Sequence, residues 1–300
     1  MSTAVDQLLT APILVTGTPR SGKTLTASIL ARANGMVFVN EPILAWAVGA
    51  TKRPDDRRFP EEATPDAVRK IRSLCAGAVR KAGGSRYLDD LAYHGLRIDF
   101  VRAVMPDALI VHLVQDGYAA IPQMVNGWTF TEPFYNTIRR RWRGVNPYTA
   151  IRTLPRLARR WMVNHWASKV EGRRRAWGPQ PPGLAEFARQ HADPAEIAAF
   201  QWKALIETAL DDLGRLPEDQ AMTIRFEDLI DDTKAVVARL ARFCRIDDVD
   251  RLQQAAAEIL VPGSGKKGVE LSTDQWKRVE RIVRPLRERL GYTSGIPTAA

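Results

Sequence analysis

Cysteine is nearly absent. Cys75 and Cys244 are the only two in 300 residues, they lie far apart, and they match no metal-ligand spacing. No disulfide framework is implied. Both sit in helical patterns and read as buried free thiols, which suits a reducing cytoplasm. Histidine is scarce as well, with four copies, and no His, Cys or carboxylate cluster has the spacing of a metal site, so no metal is expected. No apolar run reaches about 18 residues, which excludes a membrane-spanning helix. The N-terminus lacks the basic start and long apolar core of a signal peptide, and a cytoplasmic location is the expectation. Internal repeats, low-complexity tracts and a clear interdomain linker are all missing. Acid is in deficit: 34 Asp and Glu stand against 44 Lys and Arg, a net charge of +10. That balance favours anionic partners such as nucleotides, acidic substrates, nucleic acid or a membrane surface. Nucleic-acid binding rests on charge alone and is not expected.

What the chain does have is one conspicuous stretch near its start. Ile13, Leu14 and Val15 form a short apolar run of strand type. Gly17-Thr-Pro-Arg-Ser-Gly22-Lys23-Thr24 follows, and a helical pattern opens at Leu25. The order strand, G-x-x-x-x-G-K-[ST], helix is that of a P-loop. Glycines let several backbone N–H groups point at one anion, the helix N-terminus adds partial positive charge, and a Lys and a hydroxyl complete the cradle. A phosphorylated ligand is the working expectation.

Further along, short strands alternate with helical patterns. Met36–Val39 reads as a second strand, ending at Asn40-Glu41-Pro42. Arg86–Leu88 is a third, ending at Asp89-Asp90. Ala108–Val114 is nearly continuous in apolar residues, as expected of a parallel strand covered on both faces. Ala221–Phe226 is a late strand. Helices are expected over about 65–81, 96–104, from Gly117 onward, 161–170, 194–213, 233–244 and 273–290. Glu227 and Asp228 are expected to cap the helix that follows them. The fold class is therefore α/β: a single domain with a central parallel sheet flanked by helices and a P-loop-containing nucleotide-binding architecture. Ligands of such sheets sit at the carboxyl ends of the strands, which groups the P-loop, Glu41, Asp89 to His94 and Gln115 to Gln123 around one crevice. Between about 126 and 215 lies a mainly helical insertion. Its aromatics, Trp128, Phe130, Phe134, Tyr135, Trp142 and Tyr148, are interleaved with Arg139, Arg140, Arg141 and Arg143. Either a solvated helix packs these rings beneath it, or the stretch is a lid or acceptor pocket.

Several of these stretches together resemble the PAPS-dependent sulfotransferases, especially the bacterial and tyrosylprotein-type members. The likeness covers roughly residues 12 to 292. Gly17-Thr-Pro-Arg-Ser-Gly22 resembles the family's 5′-phosphosulfate loop. Phe38-Val-Asn-Glu41-Pro42 is similar to the segment after its second strand, and Pro106 to Gly117 to the strand and turn that lead to its 3′-phosphate site. Trp177-Gly-Pro and Arg225-Phe-Glu-Asp-Leu229 recur there too. Lys266-Lys267-Gly268 sits where a basic loop closes over the nucleotide. The chain also departs from the family pattern. Gln115 stands where an Arg is usual, Gln123 where a Ser is usual, Lys23 where a Thr is usual, and Asp90 where many bacterial members carry Lys. Gln carries no charge, so one charge-assisted contact to the 3′-phosphate is replaced by a weaker one.

The resemblance implies transfer of the sulfonate of PAPS to a hydroxyl or amine of a small-molecule or peptide acceptor by in-line displacement. Pro19, Arg20, Ser21, Gly22, Lys23 and Thr24 would hold the 5′-phosphosulfate, with Arg20 and Lys23 neutralising charge on the reacting group. Gln115, Gln123, Lys266, Lys267 and Gly268 would hold the nucleotide's other end. Two residues are candidates for the general base: Glu41 after the second strand, and His94 after the third. His112, inside an apolar strand, reads as a core histidine. Two other readings stay open: a P-loop kinase using ATP and Mg²⁺, in which Asp116 serves as the metal-binding carboxylate with Asp89 or Asp90 as helper, and a nucleotide-binding homologue without activity.

Overall fold

The computed structural model describes residues 4–131, 133–141, 147–261 and 268–297. In chain order the elements are α1 (Ala4–Leu8), β1 (Ile13–Gly17), α2 (Lys23–Leu30), β2 (Met36–Val39), α3 (Pro65–Lys81), β3 (Arg86–Asp89), α4 (Ile98–Val104) and β4 (Leu109–Val114). There follow α5 (Gly117–Thr129), α6 (Phe134–Arg141), α7 (Pro147–Val170), α8 (Leu184–Gln190), α9 (Pro194–Leu213), β5 (Ala221–Arg225), α10 (Phe226–Asp231), α11 (Thr233–Phe243), α12 (Val249–Ile259) and α13 (Thr273–Arg289). The chain divides into two compact units, residues 1–116 with 204–266, and residues 117–203 with 267–300.

The first unit carries a five-stranded sheet in the order β2-β3-β1-β4-β5, every pairing parallel. β1 therefore lies between β3 and β4 and is buried along its whole length. Its side chains alternate between two cores, as the pleat requires. Ile13 and Val15 pack with Ile29 and Leu30 of α2 and with Val237 and Leu240 of α11. Leu14 packs on the other face with Ile71 and Val79 of α3 and Val101 of α4. Coverage on both faces is why β1 and β4 read as continuous apolar runs. Helix starts follow from local chemistry. Thr64, Asp232 and Asp248 accept from the backbone N–H three residues on, and Ser272 with Gln275 forms a full capping box at the head of α13.

The structure differs from the sequence reading in several elements. α6, α8, α10 and α12 are additional helices, and α7 begins at Pro147 rather than near 161; α10 is a six-residue turn of helix running straight out of β5, and α12 is announced only by Asp248 and the Leu252/Ala255/Ala256 spacing. Glu227 does not cap the following helix. Asp232 does so, and Glu227 Oε1 instead accepts from the backbone N–H of Asp116 at 2.9 Å. Cys75 and Cys244 are buried free thiols, and burial pushes both up to about 12.

His112 lies in β4 and is 1 % exposed. Burial pushes its imidazole down to about 4 from 6.5. The unfolded chain takes up that proton near pH 6.5 and the folded chain does not until about pH 4. Stability is therefore unaffected above the unfolded value and falls as pH drops through this window, by about 3 kcal/mol in all. Replacing His112 by Gln should flatten the acid limb of the thermal midpoint between pH 6.5 and 4, and an unchanged limb would place the acid sensitivity elsewhere.

In the second unit the described residues from Phe134 to Val170 are helical, and α5, α8 and α13 belong to the same unit. Trp128 is fully buried and its indole N–H donates to Gln201 Oε1 at 2.9 Å. Gln201 Nε2 in turn donates to the carbonyls of Trp177 and Pro179, so one buried amide pins the Trp177-Gly-Pro turn to α9. The aromatic stretch divides: Trp128 is core, whereas Phe130 and Tyr135 are each 66 % exposed. Trp142 and Arg143 lie outside the described residues.

Candidate active site

The order of the strands decides where the site is. β1 is the switch point: chain order runs to β3 on one side and to β4 on the other, the position where open α/β sheets bind ligands. β2 and β3 end level, since Val39 pairs with Asp89, whereas β1 meets Asp89 at Leu14 and runs three residues further to Gly17. Side-chain contacts of Asp90 with Thr24 and Asn40 then tie the three following segments together. The P-loop, Asn40-Glu41 and Asp90 are thereby gathered from positions up to 73 residues apart in the chain.

After β1 the backbone turns tightly, with Ser21 N–H donating to Thr18 O at 3.2 Å, and α2 begins at Lys23. Arg20 has φ 73° and Gly22 φ 81°, both left-handed. Left-handed residues in such a loop turn successive N–H groups to one concave side, an anion-binding arrangement. Gly22 is required for a second reason: a Cβ there would lie 2.1 Å from the Phe226 ring. No side chain caps the start of α2, which leaves its first N–H groups to an external acceptor. The hydroxyls of Thr18 and Ser21 are fully buried and make no hydrogen bond among the described residues. Pro19 and Arg20 are partly buried, and Thr24 is exposed.

Asp90 is the hub of the site. Its carboxylate accepts from Thr24 Oγ1 at 2.5 Å, Asn40 Nδ2 at 3.2 Å and the Glu41 backbone N–H at 2.8 Å. Lys23 Nζ stands 3.6 Å from Asp90 and donates to Glu41 Oε1 at 3.4 Å. Burial raises the Asp90 carboxyl above the usual range, opposed by Lys23, Thr24 and the Glu41 N–H. Glu41 itself is held at φ 45°, a conformation that costs a non-glycine residue about 1 kcal/mol or more. The Asp90 contact to its N–H fixes that turn. The side chains of Lys23 and Asp90 are 7 % and 0 % exposed, while that of Glu41 is 36 % exposed. The one solvent-facing carboxylate of the group is therefore bonded to its buried ammonium.

His94 lies in a separate buried network. Its Nε2 is 2.9 Å from Asp89 Oδ1, and Asp89 Oδ2 accepts from Trp46 Nε1 at 2.9 Å and the Tyr87 hydroxyl at 3.0 Å. The Trp46 ring meets the imidazole edge-on at 4.6 Å. His94 is 0 % exposed, and burial lowers its pKa despite Asp89 beside it. Its Nδ1 has no hydrogen-bond partner among the described residues.

Of the residues expected at the nucleotide's other end, Gln115 is 8 % exposed just past the end of β4. Gln123 lies on α5, its amide donating to Ala119 O at 3.2 Å. Gly268 packs against that same helix: Val269 N–H donates to Pro122 O, and a Cβ on Gly268 would meet Pro122 Cβ at 2.4 Å and Gln123 N at 3.0 Å. Gly268 and Gln123 are thus neighbours. Lys266 and Lys267 lie outside the described residues. Among the described residues no group of three His, Cys, Asp or Glu could hold a metal ion, and no helix is long and apolar enough to cross a membrane.

Two residues gained importance only in three dimensions. Asp90 drew notice in the sequence as a departure from a family pattern and as a possible helper carboxylate. Its signal was there to find: an acid at the end of the strand beside the P-loop strand can reach the P-loop hydroxyl. Asn40 had no such signal.

A central parallel sheet flanked by helices, with a glycine-rich loop leading from its middle strand into α2, defines the class of fold. The particular family follows from comparison: the model of the sulfotransferase family matches residues 12–183, more than half of the chain, and the protein belongs to that family. Solved structures agree in fold. A sulfotransferase domain from the curacin biosynthetic pathway superposes with a TM-score of 0.51 at 16% identity, covering 96% of this chain and 99% of that one. The sulfotransferase STF9 from Mycobacterium avium gives 0.51 at 11% identity, covering 99% and 80%. No curated protein sequence matches significantly.

Proposed function

We propose that the protein transfers the sulfonate of PAPS to a hydroxyl or amine of a small-molecule or peptide acceptor. The observation that carries this reading is the loop before α2: no side chain caps the helix start, and the buried hydroxyls of Thr18 and Ser21 have no hydrogen-bond partner among the described residues. These features fit a bound anion at the head of α2. The donor supplies an activated sulfonate. The chain's residues do the rest. Backbone N–H groups from Arg20 to Thr24 hold the 5′ end. Lys23 and Arg20 neutralise charge that builds on the leaving oxygen as its bond to sulfur breaks. Glu41 accepts the acceptor's proton as the new oxygen–sulfur or nitrogen–sulfur bond forms. Glu41 is favoured over His94 because its carboxylate is partly exposed and bonded to Lys23, whereas His94 has no exposed surface. Gln123 and its neighbour Gly268 are assigned to the 3′-phosphate end of the nucleotide.

One contact favours a second reading. Thr24 donating to Asp90 is the pairing a P-loop kinase uses around Mg²⁺, with Asp90 rather than Asp116 as the carboxylate. Calorimetric titration with 3′,5′-adenosine bisphosphate, and with ADP with and without Mg²⁺, separates the two. Metal-independent preference for the bisphosphate is expected. Preference for ADP that appears only with Mg²⁺ and vanishes in EDTA would overturn the sulfotransferase reading in favour of phosphoryl transfer.

A further inference from the structure

Exposed apolar surface is concentrated in one part of the chain. Of ten large apolar side chains that stand exposed on the described residues, six lie between 130 and 170: Phe130, Tyr135, Met162, Val163, Trp166 and Val170. Four of these are on α7. Met162, Trp166 and Val170 follow at four-residue steps and share one side of that helix, with Val163 at its edge next to the buried face of Asn164 and Ala167, which are 3 % and 0 % exposed. Met162, Trp166 and Val170 are 59 %, 56 % and 63 % exposed.

The charge of the same stretch is one-sided. Residues 133–170 contain nine Arg and Lys and no Asp or Glu, against a net charge of +10 for all 300 residues. On the described part of α7, Arg159, Arg160 and Lys169 are exposed among the apolar side chains. The Arg175 guanidinium lies over the Trp166 ring at 5.6 Å. A nucleotide or other soluble polyanion would account for the cations but not for a row of Met, Trp and Val left in water. A second protein's apolar face would account for the row but not for a stretch emptied of acid. Both together match the head-group layer of an anionic bilayer. There cations meet lipid phosphates, an indole sits at the interface, and short apolar side chains enter the acyl boundary.

We infer that the exposed face of α7, centred on Trp166, docks this protein on anionic lipid surfaces. Charge complementarity selects this occupant over an uncharged bilayer, because polybasic segments gain about 1 kcal/mol per Lys or Arg at an anionic leaflet. The inference does not depend on the identity of the sulfonate donor.

The test is co-sedimentation of the full chain with vesicles of phosphatidylcholine alone and with phosphatidylglycerol mixed in. Binding to the mixed vesicles, weakened by salt, and little binding to the neutral ones are expected. Met162→Ser, Trp166→Ser and Val170→Ser combined should weaken it at least about tenfold. Arg159→Gln should weaken it about fivefold. Both variants should keep the native circular dichroism, and Arg159→Gln, a surface change, guards against a folding defect in the triple variant. Failure of the native protein to sediment with mixed vesicles would overturn the inference. So would full binding by the triple variant, which would leave a polyanion surface without an apolar anchor. Release by inorganic phosphate but not by chloride at equal ionic strength would assign the site to free phosphate. A native dimer in solution that the triple variant turns into a monomer would assign the face to a second copy of the chain.

Discussion

Lys23→Ala is expected to lower turnover about a hundred- to a thousandfold, the range for removing one preorganised charge-stabilising donor. The fold should survive. Lys23 is almost fully buried between Glu41 and Asp90, so its loss leaves Asp90 with one fewer cation. Asp90 still keeps three hydrogen bonds, from Thr24, Asn40 and the Glu41 N–H, and protonates more readily because burial already raises its pKa. The stability cost is thereby moderated. Single-turnover rates at saturating donor, with the thermal midpoint measured alongside, check this. A variant that unfolds would mean that Lys23 is chiefly a structural counter-charge. A folded variant with near-normal turnover would remove Lys23 from the reaction altogether.

Glu41→Gln is expected to slow transfer roughly 10²–10⁴-fold at unchanged nucleotide affinity, since a general base contributes on that scale. Gln still accepts a hydrogen bond from Lys23 but cannot take a proton. The acid limb of the rate profile should therefore flatten in Glu41→Gln and persist in the native enzyme. His94→Ala should behave differently. It removes a fully buried ring from Asp89 and Trp46, so it should destabilise the fold by about 2–4 kcal/mol. If instead His94→Ala folds normally and loses the acid limb while Glu41→Gln keeps it, the base is His94 and the Asp89 network orients it.

The α/β class, the parallel sheet and the strand–loop–helix from Ile13 to Leu30 were all legible from residues alone. Each is a local pattern. Gly17 to Thr24 between an apolar run and a helical one has few other uses, and β4 buried on both faces cannot avoid reading as a continuous apolar run. α3 and α9 were equally plain: α3 has Thr64 as its cap and a regular apolar stripe, and α9 is twenty residues long. α10 was not legible, because six residues give the 3.6 period little room.

The site divides the same way. Which residues carry charge at the strand ends is written in the chain. Which of them meet is decided by strand order, because placing β3 rather than β2 beside β1 puts Asp90 on Thr24 and Lys23. The sequence offers Glu41 as the first candidate and His94 as the second, each a short step past a strand. The tertiary structure separates them through burial. One carboxylate stays at the surface on a buried ammonium, while one imidazole is enclosed by Asp89 and Trp46, and an enclosed ring pays the full desolvation cost of taking up a proton. Composition and local period determined the class of this protein. The distance between groups far apart in the chain, and the dielectric around each, were left to the fold.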